Sequence, residues 1–293
     1  MKSNEVVPAI IALCKDRSLS FPQKTASIAG WLTTCPVATV LEHLDDAGII
    51  PECFGHDSTE EKLFAKYCDA LLAAAWAAMG LESEVITKRA DAADAIGKLH
   101  GYTIVGDAKA FRLSRTAKNQ KDFKIEALDK WRKGAEYACL VAPLYQFPNS
   151  NSQIYLQASR YNVTILSYTH LAFLIRHKPT DLHRLKPLWE AAGSLEPSKS
   201  ATAYWTKVDA TVCEITGMTM ADWNSAVQAA ADRLPSQAAE HIGFWEQEKI
   251  RIKSLPHETV TTALIKALKI DSKIALIKKN FREAKKATET HEM

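Results

Sequence analysis

The sequence predicts a mixed α/β core that carries further helices at both ends of the chain. Short runs rich in β-branched residues are confined to one central region, residues 57–178. Helical periodicity dominates residues 1–56 before it and residues 179–293 after it. Strands in one stretch with helices on either side are typical of a sheet covered by helices. We expect the three regions to form one compact domain.

The first region, residues 1–56, is predicted to be helical. Apolar residues follow helical spacing near residues 6–11 and 40–44. Pro51 and Gly55 interrupt this pattern and mark the end of the region.

A long amphipathic helix opens the central region. Ser58 and Glu61 have the spacing of a capping box, in which each side chain pairs with a free backbone N–H group. The apolar residues behind the box recur at helical spacing, namely Leu63, Phe64, Tyr67, Leu71, Ala75 and Met79. Capping is the simplest role for Glu61, because the helix dipole favours an acid there. An accessory role in an active site is the alternative.

Three strands are predicted after this helix. Residues 102–109 are rich in β-branched residues, and two further strand-like runs follow at 138–142 and 163–168. A helix at about residues 119–131 separates the first strand from the second. The third region is predicted to be helical, with segments at 181–192, 221–233 and 236–254 and a basic piece from Asp271.

Composition restricts the class of protein. The hydrophobic content of 47% and the charged content of 24% are typical of soluble globular proteins, and a net charge of +3 is too small to indicate nucleic-acid binding. The longest apolar run, residues 70–81, is shorter than the roughly 20 residues that span a bilayer. The first residues lack a signal-peptide pattern, and the six cysteines have no zinc-site spacing. We expect a cytoplasmic protein with reduced cysteines and no membrane partner.

The triplet Asp107-Ala108-Lys109 lies at the end of the first predicted strand. Side chains alternate along a strand, so Asp107 and Lys109 point the same way. A carboxylate that binds a divalent cation beside an ammonium that orients water suits phosphodiester hydrolysis. A lone triplet of this kind is weak evidence, since a surface ion pair explains it equally well.

A second acid, Asp94, strengthens the hydrolytic interpretation. The chain between Asp94 and Asp107 has the length of a hairpin that turns near His100 and Gly101. Such a hairpin places the two acids side by side. Magnesium takes few protein oxygens besides water and phosphate, so two carboxylates suffice. Asp91 is a rival for this position, and spacing alone does not separate it from Asp94.

Basic residues crowd the segment that follows. Residues 107–133 contain nine Lys and Arg against four acids, a larger excess than that of the whole chain. Such a run in isolation indicates a solvated helix face, but beside paired carboxylates it favours binding to DNA phosphates and bases. For Asp122 a cap or ion-pair role is the alternative. The candidate DNA-binding residues are Arg112, Arg115, Lys118, Asn119, Lys121 and Asp122.

These motifs resemble the PD-(D/E)xK nucleases, and within them the HindIII-like type II restriction endonucleases. The resemblance is densest over residues 57–170 and extends to AGIIPE near the start and SKIALIKK near the end. Ala93 replaces the proline that usually precedes the first acid of the family. The motifs that carry the resemblance are STEEKLFAKYCD, RADAADAIGKL, GDAKAFRLSRTAKNQKDFK and ALDKWRKGAEYACLVAPLYQFPNSNSQIY.

The resemblance implies a PD-(D/E)xK core in a homodimer that cuts double-stranded DNA within a short palindrome and requires Mg²⁺. Asp94, Asp107 and Lys109 fall on the catalytic positions, which selects Asp94 over Asp91. The two acids and the backbone carbonyl of Ala108 would bind the metal. AAGCTT is the site that the resemblance suggests, and a cognate DNA methyltransferase is implied in the host.

Two other functions stay open on sequence grounds. One is a repair or structure-specific nuclease on the same core, and the other is a non-catalytic DNA-binding protein with a degenerate core. The intact triad argues against the second. For a dimer interface the helices within residues 1–50 or 181–254 are candidates. In-line attack by water is expected to leave 5′-phosphate and 3′-hydroxyl ends.

Overall fold

The computed structural model divides the chain into two compact units, Met1–His241 and Ile242–Met293. The residues that the structure describes are 1–86, 93–99, 101–115 and 120–279. The three regions expected from the sequence stay a prediction. All of the described strands lie in the first unit.

The helices of the described residues are given in chain order. They are α1 (Val6–Lys15), α2 (Phe21–Thr33), α3 (Val37–Asp45), α4 (Thr59–Met79), α5 (Gln120–Phe123), α6 (Ile125–Trp131), α7 (Gln153–Tyr161), α8 (Tyr168–Arg176), α9 (Lys186–Glu190), α10 (Ala201–Thr216), α11 (Met220–Ser254) and α12 (His257–Ala267).

The strands form one mixed sheet in the order β1-β2-β3-β4-β5. The first three strands pair antiparallel, whereas β3, β4 and β5 pair parallel. The parallel strands are almost entirely buried, as a sheet covered by helices requires. The strands are β1 (Glu82–Val85), β2 (Ala95–Leu99), β3 (Tyr102–Ala108), β4 (Tyr137–Ala142) and β5 (Val163–Ser167).

Helix α4 packs directly against β1, β2 and β3. Its fully buried Trp76 lies over Gly97 and Gly106, where neighbouring strands have no side chain. A β-carbon at Gly106 would lie 2.5 Å from Trp76 Cη2 and 2.8 Å from Leu72 Cδ2, so only glycine permits this approach. The close packing fixes the position of α4 relative to the strand that carries Asp107.

The predicted α/β core with flanking helices is confirmed. The expected hairpin is present, since β2 and β3 pair antiparallel with Ala95 opposite Gly106. Asp94 precedes β2, and its N–H donates to the Gly106 carbonyl oxygen at 2.8 Å. The helical prediction for the first region also agrees with α1, α2 and α3.

Several local predictions were wrong. The helix expected near residues 119–131 is divided at Lys124, whose φ of 51° ends α5 and allows both Phe123 and Ile125 to be fully buried. The two helices expected on either side of Pro235 form the single helix α11, which contains the proline in its interior. The sequence pattern did not reveal β1, α7, α8 or α10.

The six cysteines are free, with three buried, two half-buried and Cys53 exposed. Among the residues that the structure describes, none of the helices has the length and apolar character that a membrane crossing requires.

Candidate active site

The end of β3 brings two predicted catalytic acids together. Asp107 is the penultimate residue of β3, and Asp94 lies beside it across the hairpin. The two carboxylates are close enough that, in addition to burial, the Asp94 side chain raises the pKa of Asp107. Lys109 follows the strand directly, and its N–H donates to the Val141 carbonyl oxygen of β4 at 2.7 Å. Backbone pairing with β4 therefore holds the whole triplet, and pairing of the preceding Gly106 with the start of the hairpin places Asp94 beside it.

Three acids and two lysines form a compact group at this point, called here the carboxylate–lysine group. The Lys109 ammonium pairs with the Asp107 carboxylate. The Lys66 Nζ lies 2.9 Å from Asp69 Oδ2 and 3.6 Å from Asp94 Oδ1. The group consists of Lys66, Asp69, Asp94, Asp107 and Lys109.

The carboxylates of the group are unusually hard to ionise in the metal-free protein. Burial raises the pKa of Asp107 to about 7, and the nearby Asp94 charge adds to the effect against the opposing Lys109. Burial also raises the pKa of Asp69 to about 6, although Lys66 opposes the shift. The pKa of Asp94 is raised by burial and by the Asp69 charge. Three crowded carboxylates therefore oppose one another's charge.

The two lysines stay protonated within this group. Burial alone lowers the pKa of Lys109, but the facing carboxylates, Asp107 above all, outweigh it and raise the pKa. The pKa of Lys66 is raised for the same reason, with Asp69 as its main partner. With three acids and two ammonium groups, the fully ionised group has a net negative charge.

The chemistry of these donors fits a divalent metal ion. Asp94 and Asp107 offer hard carboxylate oxygens side by side, and a cation between them would stabilise the charged forms that burial disfavours.

Asp69 and Lys66 were missed by the sequence analysis, which treated α4 as an apolar stripe. The signal in the sequence was an acid within an apolar stretch of the helix. The structure shows that this acid, Asp69, is only 3% exposed. A buried charge is rare without a partner or a function. Only the packing of α4 on the sheet places Asp69 and its partner Lys66 beside the Asp94–Asp107 pair.

Arg112 does not project freely from the predicted DNA-binding segment. Its guanidinium donates to the Pro51 carbonyl oxygen at 3.1 Å and the Gly55 carbonyl oxygen at 3.3 Å. It also lies 3.3 Å from Glu61 Oε1. Arg112 thus ties this segment to the chain before α4, and its proposed contact with DNA stays untested.

Arg115 and Asp122 form an ion pair at the surface, and the Arg115 guanidinium lies 5.2 Å from the centre of the Phe111 ring. Lys121 is exposed on α5. The remaining two candidates, Lys118 and Asn119, lie outside the described residues, as does Asp91, the rival of Asp94.

The structure does not bring Glu61 into the carboxylate–lysine group. Its N–H donates to Ser58 Oγ at 3.1 Å, as the cap predicts, while its carboxylate accepts from the Asp57 N–H at 2.6 Å and lies near Arg112. Glu61, His56 and Asp57 also form a three-donor cluster within the described residues. An accessory catalytic role for Glu61 remains a prediction.

The comparison with known proteins agrees with this geometry. The model of the HindIII restriction endonuclease family matches residues 3–280. The chain belongs to this family. A member, the type II restriction enzyme HindIII of Haemophilus influenzae (strain ATCC 51907 / DSM 11121 / KW20 / Rd), is 32% identical over 265 residues, which cover 88% of each chain. The resemblance noted in the sequence is confirmed, and with it the class of enzyme, a site-specific deoxyribonuclease of the HindIII family whose partner is DNA.

Proposed function

We propose that this member of the HindIII family cuts both strands of DNA within a short palindrome and requires Mg²⁺. The carboxylate–lysine group carries the proposal, because it joins paired acids and an ammonium at the end of one strand. The exposed Arg115 follows the same strand within a few residues, where DNA phosphates would pass.

Asp94 and Asp107 would hold the Mg²⁺, with the Ala108 carbonyl as a further ligand. A bound Mg²⁺ supplies positive charge that polarises the scissile phosphate and makes water more acidic. Both acids must give up their protons to bind it; burial raises their pKa values and opposes this loss, and the charge of the cation would offset that effect.

Lys109 orients the water that attacks phosphorus. Its ammonium already lies against Asp107, so it donates hydrogen bonds at the place where the negative charge develops. Attack in line with the P–O3′ bond breaks that bond and leaves a 5′-phosphate and a 3′-hydroxyl. Lys66 would hold Asp94 and Asp69 in place without contacting the DNA.

The basic segment reads the DNA in this proposal. Arg112, Arg115, Lys118 and Lys121 contact phosphates or bases, Asn119 pairs with an adenine edge, and Asp122 contacts the DNA or orients Arg115. AAGCTT is the palindrome we expect. The host then needs a methyltransferase that protects the same site.

A palindrome read by two identical subunits requires a two-fold dimer. The second unit of the chain supports this part of the proposal, because none of its described residues, 242–279, is buried. Large apolar side chains such as Trp245, Ile250, Leu264 and Ile277 are exposed there. A surface of this kind is typical of a segment that binds another protein chain.

The decisive experiment is a digest of a fully sequenced plasmid or phage duplex with Mg²⁺, followed by sequencing of the fragment ends. An EDTA control and the Asp107→Asn variant accompany it. We expect discrete fragments that end at one palindrome with wild-type protein and Mg²⁺ only. Asp107→Asn should bind DNA and leave it uncut, because the amide is a poor ligand for the cation.

The other outcomes distinguish the alternatives. Cutting only at junctions or flaps would favour a structure-specific nuclease. DNA that is bound yet intact in Mg²⁺ would favour a non-catalytic binding protein. Cutting by Asp107→Asn at nearly the wild-type rate would show that the site residues are assigned wrongly.

A further inference from the structure

The motif AGIIPE, residues 47–52, lies alongside the segment that follows Lys109. The Phe111 N–H donates to the Gly48 carbonyl oxygen at 2.8 Å, and the Ile50 N–H donates to the Phe111 carbonyl oxygen at 3.1 Å. Ile49 and Phe111 form a parallel bridge. The chain from residue 48 therefore supports the chain beyond the catalytic lysine as a strand would.

Glu52 is the last residue of this motif, and its side chain binds the turn at residues 112–115. Its side chain is almost completely buried, with 1% of its surface exposed. Ser114 donates twice to it, from the backbone N–H to Oε1 at 3.1 Å and from the hydroxyl to Oε2 at 2.9 Å. Both oxygens of one buried carboxylate thus fix a single residue of the turn at 112–115.

Arg112 strengthens the same contact from the other side. Its Nη1 lies 3.9 Å from Glu52 Oε2 and donates to the backbone carbonyl oxygen of Glu52 at 3.4 Å. His241 Nδ1 lies 3.7 Å from Glu52 Oε1. A buried carboxylate with a cation and two hydrogen bonds has a strongly preferred geometry.

The turn held by Glu52 leads directly to Arg115. The Arg115 N–H donates to the Arg112 carbonyl oxygen at 3.3 Å, and the Arg115 side chain pairs with Asp122 of α5. A shift of Ser114 would therefore move the Arg115 guanidinium, which is proposed to contact DNA. It would leave Asp107, which pairs with Leu140 of β4, in place.

We propose that Glu52 is a positioning residue for sequence recognition, acting through Ser114 on Arg115 and its ion pair with Asp122. The inference rests on the proposed function, since it assigns a specificity role within DNA cleavage. The contacts of Glu52 described above are with Ser114, Arg112 and His241, so its loss is expected to affect the choice of site more than the chemical step.

The test compares single-turnover cleavage of the cognate site with that of a site altered at one base pair. Glu52→Ala is expected to reduce the ratio of the two rates about tenfold, because a misplaced side chain no longer distinguishes the bases. The rate at saturating cognate DNA should change less than about threefold, while the half-saturating DNA concentration rises.

Two milder variants keep the test informative if Glu52→Ala folds poorly. Glu52→Gln retains one acceptor, and Ser114→Ala removes only the hydroxyl bond, so each should lose part of the discrimination. Asp209→Asn is the matched control, because Asp209 accepts from His170 Nε2 at 2.9 Å away from this turn. Unchanged discrimination in all Glu52 and Ser114 variants, or an equal loss in Asp209→Asn, would overturn the proposal.

Amide hydrogen exchange tests the positioning even if the protein cuts no palindrome. The Ser114 amide should lose protection in Glu52→Ala and keep it in Asp209→Asn, because its acceptor is gone only in the first. Protection of Ser114 equal to that of the wild type would contradict the role of Glu52. A digest without site preference would instead contradict the proposed function.

Discussion

At the scale of single residues, the site depends on acids that the fold keeps away from water. Asp69 and Asp107 are each 3% exposed, and both have a raised pKa. Burying these carboxylates is unfavourable, and the ion pairs with Lys66 and Lys109 offset part of that free energy. Buried groups with perturbed pKa values mark functional sites, and here the perturbing partners are named side chains.

Asp69→Asn should weaken metal binding. The change keeps the size of the side chain but removes a negative charge that interacts with Asp94 and Asp107. We expect the half-saturating Mg²⁺ concentration for cleavage to rise about tenfold, the size of a charge interaction inside a protein. Titration of Mg²⁺ in the cleavage assay measures it.

Asp232→Asn is the control for this variant, since it makes the same chemical change at an exposed position of α11. Its Mg²⁺ dependence should equal that of the wild type. If Asp69→Asn also has a wild-type Mg²⁺ requirement, Asp69 does not belong to the metal site and has a structural role only.

His43 gives a prediction about pH and stability. The ring is fully buried, with Nδ1 2.8 Å from the Tyr67 hydroxyl and Nε2 3.1 Å from the Met1 carbonyl oxygen. Burial lowers the pKa of His43 below its ordinary 6.5, and the α-amino group adds to this, against Glu42 and Asp46. The folded state therefore favours the neutral ring, which accepts from Tyr67 and donates to Met1.

The direction in which stability changes with pH follows from the lowered pKa of His43. The unfolded chain binds a proton at His43 as the pH falls below 6.5, whereas the folded chain does not until a lower pH. The contribution of His43 to stability is thus present above pH 6.5 and is lost on acidification. Urea unfolding between about pH 7.5 and 5.5 should show a smaller decline for His43→Gln than for the wild type. Identical losses of stability in His43→Gln and the wild type would show that His43 does not contribute to the pH dependence.

At the scale of elements, the packing of α4 on β3 decides where the site forms. Trp76 fills the space over Gly106, one residue before Asp107. The same helix carries Lys66 and Asp69 to the Asp94–Asp107 pair. The helix and the strand must therefore keep a close and fixed distance for the five side chains to meet.

Gly106→Ala should destabilise the protein by about 1–3 kcal/mol, because its methyl group would overpack the contact with Trp76 and Leu72. The free energy of unfolding from chemical denaturation measures the loss. Gly30→Ala is the matched control, since no atom lies within 4 Å of its β-carbon in α2. It should be neutral or stabilising by up to about 1 kcal/mol. Equal stabilities of the two variants would refute the close-packing argument.

The helices and strands also show which features the periodicity of the sequence can predict. The Ser58 cap, the spacing of α4 and the hairpin of β2 and β3 are local features, so the sequence predicted them correctly, whereas the Glu61 carboxylate bonds the Asp57 N–H instead of completing a capping box. The break at Lys124 and the strand β1 were not predicted. Their cause is burial of Phe123 and Ile125 in one case and pairing with β2 in the other, which depend on distant parts of the chain.

At the scale of the whole molecule, the described residues of the second unit, 242–279, include none that is buried. Its helix α12 has no buried residue in the part of the chain that the structure describes, and helices of this length are marginal in isolation. Leu264 and Leu268 are 56% and 50% exposed and lie one turn apart. A partner chain would bury them, which agrees with the proposed dimer.

Leu264→Glu combined with Leu268→Glu should shift the protein from dimer to monomer, because two charges would enter the apolar contact. Sedimentation velocity over a range of protein concentrations measures the change. Thr262→Glu, at an exposed polar position of α12, is the control and should remain dimeric. Should the double variant dimerise as tightly as the wild type, the interface lies elsewhere, and the regions 1–50 and 181–254 become the candidates.

The fold class, the hairpin that pairs Asp94 with Asp107 and the family were all predictable from the residues alone. These features depend on neighbours in the chain, on alternation along a strand and on motifs that keep their spacing. Only the tertiary structure decided that Lys66 and Asp69 join the site, that Arg112 turns back to the first region and that Glu52 holds Ser114. The physical reason is that these contacts join side chains far apart in sequence, whose meeting depends on how α4 and the chain before it pack against the sheet.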